Sequence, residues 1–94
     1  MDFSAFNESI ANNHFPSSLS VYLQALWFDA QGNWEEAHRL IQDVAGEKAA
    51  WIHAYLHRKE GDVWNADYWY SKAGKIHPSI SLAKEWENLV SSFL

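Results

Sequence analysis

Cysteine is absent from the 94 residues, so neither a disulfide framework nor a thiolate metal site is open to this chain. That suits a reducing compartment. No apolar run reaches the length of a membrane span, and Met1-Asp2-Phe3-Ser4 lacks the basic residues that open a secretory leader. The expectation is a cytoplasmic protein with no membrane partner, in which Asn7-Glu8-Ser9 carries no glycosylation meaning. The period-two alternation of half-buried strands is missing as well. Glycine and proline are scarce, at four and two, and no glycine-rich phosphate loop can be built from them. Basic residues are outnumbered twelve to seven, for a net charge of −5, which argues against nucleic acid as a partner. The imbalance sits in the first half: residues 1–47 hold seven acidic side chains against Arg39 alone, while residues 48–94 hold five against six basic ones. Arg58, Lys59, Lys72, Lys75 and Lys84 read as a solvated face.

What the chain has in excess is aromatic surface, with six Trp, five Phe and four Tyr. Each buries roughly 150–250 Å², which lets a short chain build a core. Apolar residues recur at three and four, and the few Gly and Pro punctuate them into helices. Phe3, Phe6 and Ile10 form one stripe on a helix from about Asp2 to Asn12. Ser17 or Ser18 caps a second helix running to Gln31. Gly32 suits a left-handed C-terminal position, and Asn33 caps a third helix, Trp34 to about Ala45. Glu47–Glu60 and Val63–Ala73 follow, joined by Gly61-Asp62. A last helix runs from Ser79 or Ser81 to Phe93, with Leu82, Trp86, Leu89, Val90 and Phe93 on one face. Two-residue junctions between helices of this length predict antiparallel hairpins. The expectation is a single all-α domain over residues 1–94: two hairpins, about 17–45 and 47–74, flanked by an N-terminal and a C-terminal helix.

The two hairpins repeat. Ala25, Gln31-Gly32-Asn33, Ala37 and Ile41 realign with Ala54, Glu60-Gly61-Asp62, Ala66 and Tyr70 at a constant offset of 29 residues. A period of this size marks stacked supersecondary units. Ala25 with Ala37, and Ala54 with Ala66, allow close approach where two helices cross. With Phe28, Val44, Ala73 and Pro78 in place, the pattern resembles the tetratricopeptide repeat over about 60 of the 94 residues. It departs from that pattern in a shortened first unit without a closing Pro, and in His53 and His57 where Leu and an aromatic are usual. The stretch Trp51–Tyr70 is also similar to short uncharacterised bacterial proteins.

The resemblance implies a binding scaffold in which the first helix of each hairpin lines a concave groove. The matching positions are Tyr22, Leu23, Leu26 and Asp29 in the first unit and Trp51, Ile52, Tyr55, Arg58 and Lys59 in the second. A clamp for a terminal carboxylate needs Lys and Asn where Tyr22 and Leu26 stand, so that mode is not implied. The helix around Tyr22 is apolar nearly all round and must be covered on both sides. The N-terminal segment, a second copy or an external ligand would have to cover Tyr22, Leu23, Leu26, Trp51 and Tyr55.

His53, His57 and Glu60 share one helix face at i, i+4, i+7, a spacing that can ligate a divalent metal. The residue after His53 is Ala54, so the general base of the metalloprotease motif is missing. The plainer reading makes both histidines structural, bonded to backbone carbonyls, Asp67 or a tyrosine. Trp64, Tyr68 and Ser71 form a second stripe, read as core and inter-helix packing with a partner surface as the alternative. The sequence therefore points to a non-catalytic interaction module, free of cofactors, that binds a protein or a second copy of itself. The alternative is a metal- or small-molecule-binding protein using His53, His57, Tyr55 and Arg58.

Overall fold

A computed structural model describes residues 1–94 as six helices and no strand: α1 (Phe3–Ala11), α2 (Val21–Ala30), α3 (Trp34–Ile41), α4 (Glu47–Lys59), α5 (Val63–Lys72) and α6 (Leu82–Phe93). The all-α reading holds. None of the helices is long and apolar enough to cross a membrane. α2 packs most extensively on α3, and α4 on α5, giving two antiparallel hairpins with α3 set against α4. Ala25, Ala37, Ala54 and Ala66 are completely buried at the two crossings.

The hairpin junctions repeat in detail. Gly32 and Gly61 are left-handed, at φ 82° and 86°. Gly32 N–H donates to the Asp29 carbonyl and Asn33 N–H to that of Phe28; Gly61 and Asp62 repeat this on Arg58 and His57. Each pair closes a Schellman turn and satisfies carbonyls left over at a helix end. The residue completing the turn also caps the next helix: Asn33 accepts from Glu36 N–H, and Asp62 from Asn65 N–H. One dipeptide thus ends one helix and starts another, fixing the hairpin angle with no loop to spare.

Two boundaries differ from expectation. Ser18 adopts φ 64° and Ser20 supplies the cap of α2, accepting from Leu23 N–H at 3.3 Å. The segment before it is pinned on α2, with Phe15 edge-on to Trp27 and stacked on Phe28, and Pro16 buried. α3 stops at Ile41, four residues early. Gln42 to Gly46 must turn back towards α4, and Gly46 takes φ 104° to do so.

The flanking helices close the molecule. α6 lies across α2 and α4. Leu89 and Val90 are fully buried, while Phe93 stacks on Tyr22 at 5.2 Å and meets Trp51 edge-on. α1 then sits against α6 and α2. Phe3 and Phe6 meet the Trp86 ring at 6.0 and 6.2 Å, and Phe6 joins the core that holds Leu23 and Leu26. Trp27 Nε1 donates to Ser9 Oγ, and Gln31 Nε2 to the Ile10 carbonyl.

A Cβ added at Gly32 or Gly61 meets nothing within 4 Å. Gly32→Ala and Gly61→Ala should therefore each cost about 1–2 kcal/mol through backbone strain alone. Asn33→Ala or Asp62→Ala should cost about 1 kcal/mol through the lost cap. Urea titration of the four variants measures this.

Candidate functional site

Two polar clusters lie on opposite faces of α4. Towards α2 and α6 runs a buried ionic spine; towards α3 and α5 lies a group of histidines.

The spine is built on two carboxylates, Asp29 and Glu85, each only 2% exposed. A buried charge must be matched by a countercharge and hydrogen bonds. Glu85 receives Arg58 Nη1 on Oε1 at 2.8 Å and Trp51 Nε1 on Oε2 at 3.2 Å. The Tyr70 hydroxyl lies 2.7–2.8 Å from both oxygens and donates its one proton to either. Arg58 also donates to the Ile80 carbonyl through Nη2. Asp29 is held by Tyr55 Oη at 2.8 Å and by Lys59 Nζ at 2.9 Å. Burial, then the adjacent carboxylate, pushes both Tyr55 and Tyr70 far above the usual phenol range, so each stays a proton donor. No buried side-chain nitrogen or oxygen is left without a partner.

This arrangement decides the fate of the groove positions. Leu26, Asp29 and Tyr55 are buried, Tyr22, Trp51 and Arg58 are half-buried, and Lys59 stays at the rim. Their partners belong to the chain itself. Trp86 Nε1 donates to the Leu26 carbonyl at 3.1 Å, Glu85 takes Trp51 and Arg58, and Phe93 takes Tyr22. The expected occupants of the groove did not include the C-terminal helix, yet α6 fills it. These residues form an internal interface rather than an open docking surface. What remains is a cleft of about 510 Å³ at one end, beside Asp29, Tyr55 and Lys59, walled by Phe3, Ile10, Leu82 and Trp86.

His53 and His57 face the other way, so no single pocket joins them to Tyr55 and Arg58. They are 6% and 9% exposed. Neither bonds a backbone carbonyl or Asp67, whose carboxylate instead accepts from His77. His53 Nε2 lies 3.0 Å from Nε2 of His38 on α3, and His57 Nδ1 lies 2.8 Å from Glu60 Oε1. The three imidazole centroids are 4.8–5.2 Å apart. Trp34 stacks on His38 at 4.9 Å and Trp69 on His53 at 4.0 Å, walling the group on both sides. Burial first, and the neighbouring imidazoles second, depress the His53 pKa to about 4, so its ring is neutral at pH 7. Burial and His57 lower that of His38 in the same sense. Glu60 reaches His57 but not the His38–His53 pair. His38 was not among the expected candidates, because spacing along α4 cannot reveal a residue contributed by α3.

The Trp64–Tyr68 stripe also departs from expectation. Trp64 is 77% and Tyr68 47% exposed, with their rings nearly parallel. The turned-in face of α5 packs on α4, and α6 packs on α2 and α4 rather than over the outer face of α5.

No protein-family model, curated protein or solved structure matches the chain.

Glu85→Leu should lose 3–5 kcal/mol, because it strands Arg58 in a half-buried site, whereas Glu85→Gln should lose about 1–3 kcal/mol. Chemical denaturation gives the two values. Binding of a hydrophobic dye by the Leu variant under native conditions would report release of α6 from the groove.

Proposed function

We propose that the chain is a non-catalytic, tetratricopeptide-like interaction module of the cytoplasm that associates through the outer aromatic face of α5. The observation that carries this reading is Trp64, an indole left 77% exposed beside Tyr68 and Val63, themselves 47% and 56% exposed. Tryptophan and tyrosine are the commonest anchors of protein interfaces, and burying them returns more than almost any other side chain. Lys72 reaches back over the Tyr68 ring at 5.3 Å, which keeps the face amphipathic rather than purely greasy.

The favoured occupant is a second copy. In a helical-repeat array the outer helix of each hairpin packs on the inner helix of the next, as α3 packs on α4. α5 has no such successor, because α6 packs on α2 and α4 instead. Two chains joined across a two-fold axis would cover both ends with the same residues. The chain already satisfies its groove through α6, so the groove is not needed for this association.

Light scattering on a size-exclusion column decides the matter. The wild-type chain should run as a dimer in the micromolar range, against 10.9 kDa for one copy. Trp64→Ala should weaken dimerisation at least tenfold, and Tyr68→Ala somewhat less, without a change in helicity. A wild-type monomer at high micromolar concentration overturns self-association through this face.

A further inference from the structure

The histidine group remains unexplained by an interaction module. Three imidazoles from two different helices converge, and one ring nitrogen from each lies within 4.8 Å of the other two. We propose that His38, His53 and His57 form a binding site for one divalent transition cation of the zinc, cobalt or nickel type, with Glu60 orienting His57.

The donor chemistry selects the ion. Three imidazole nitrogens, with neither a thiolate nor a carboxylate directly in the set, suit zinc and its neighbours and do not suit magnesium or calcium, which take oxygen. The geometry is close to what such an ion requires. Metal–nitrogen bonds of about 2.0–2.1 Å at tetrahedral angles separate two ligand nitrogens by about 3.4 Å. The His38 and His53 Nε2 atoms are 3.0 Å apart, so that pair needs to open by only a few tenths of an ångström, and His57 needs to close on it.

The proton balance is simple. The contact between the two Nε2 atoms requires that one ring hold its proton there and the other present a lone pair. A metal takes both lone pairs once the first ring carries its proton on Nδ1 instead, a change of tautomer with no change of charge. Glu60 already fixes the matching tautomer on His57: its carboxylate accepts from Nδ1–H, leaving Nε2 for the ion. A carboxylate behind a ligating imidazole is the usual way such a ring is aimed and made more basic.

The cluster is also held in place and reachable. Trp34 is anchored by its Nε1 donating to the Leu56 carbonyl at 2.7 Å and lies flat against His38, while Trp69 lies against His53. His53 and His57 are buried, and half-buried His38 closes the site towards solvent. An ion entering there keeps a fourth position for water. The other grouping near His57, with Glu60 and Asp62, is the weaker one, since Asp62 spends its carboxylate capping α5 through Asn65. Bound metal would tie α3 to α4 and so lock the first hairpin onto the second.

The test uses the untagged 94-residue chain titrated with cobalt(II) chloride and, separately, zinc chloride. Cobalt should bind at one per chain in the micromolar range or tighter, with the intense visible bands of a tetrahedral nitrogen-ligated ion, and zinc should displace it. Zinc should raise the melting temperature. His38→Ala, at the half-exposed edge of the cluster, should keep the fold while losing the bands and the thermal shift. Glu60→Gln should weaken binding by 10- to 100-fold. Absence of saturable one-to-one binding in the wild type overturns the proposal. So does binding that His38→Ala leaves intact, which would place the ion away from the three-histidine set, at the His57, Glu60 and Asp62 grouping or on a surface histidine.

Discussion

The carboxylate of Glu85 is the constraint on which the rest of the molecule depends. Its charge is sealed at the centre of three helices: it arrives on α6, is neutralised by Arg58 from α4, and receives the Tyr70 hydroxyl from α5. An apolar contact tolerates sliding; a buried charge does not, because any shift leaves donor or acceptor unpaired in a low-dielectric setting. The ion pair therefore sets the register of α6 in the groove, and the register places Trp86 over Leu26 and Phe93 over Tyr22. Trp86 in turn receives Phe3 and Phe6 of α1, a helix that α2 also holds through Ser9 and Ile10. The chain of contacts runs from the charge to the groove to the N-terminus.

The same 29-residue offset that relates the two hairpins relates Asp29 to Arg58. Both stand one turn before a Gly-Asn/Asp junction and both project from the inner helix towards the groove. The repeat has placed opposite charges at equivalent positions. One draws Lys59 from the neighbouring inner helix, and the other draws Glu85 from the closing helix. Both positions are turned inward, onto partners that the chain itself supplies.

The hairpins were legible because their signals are local. Gly32-Asn33 and Gly61-Asp62 each decide a turn from within a few residues, and Ala25, Ala37, Ala54 and Ala66 announce the crossings. The end of α3 was not legible: Gln42 to Ala45 carries no helix breaker, and only the need to turn back to α4 stops it. The filling of the groove was invisible for a different reason. Nothing in the spacing of Leu82, Trp86 and Phe93 distinguishes a helix that continues the stack from one that folds back across it. The deciding residue, Glu85, sits among them looking like an ordinary solvated carboxylate. His38 escaped in the same way, since its partners lie 15 and 19 positions along the chain, and only the hairpin-on-hairpin contact joins them.

The distribution of indoles has an optical consequence. Trp27 is buried, Trp34, Trp51, Trp69 and Trp86 are half-buried among rings and helix backbone, and Trp64 alone stands in water. Solvent dipoles relax around an excited indole and redden its emission, while a packed ring emits towards the blue. The folded chain therefore carries two spectrally separable populations without any label. The red one belongs to a single residue on a single surface, which makes the native fluorescence a position-specific gauge of whatever approaches α5.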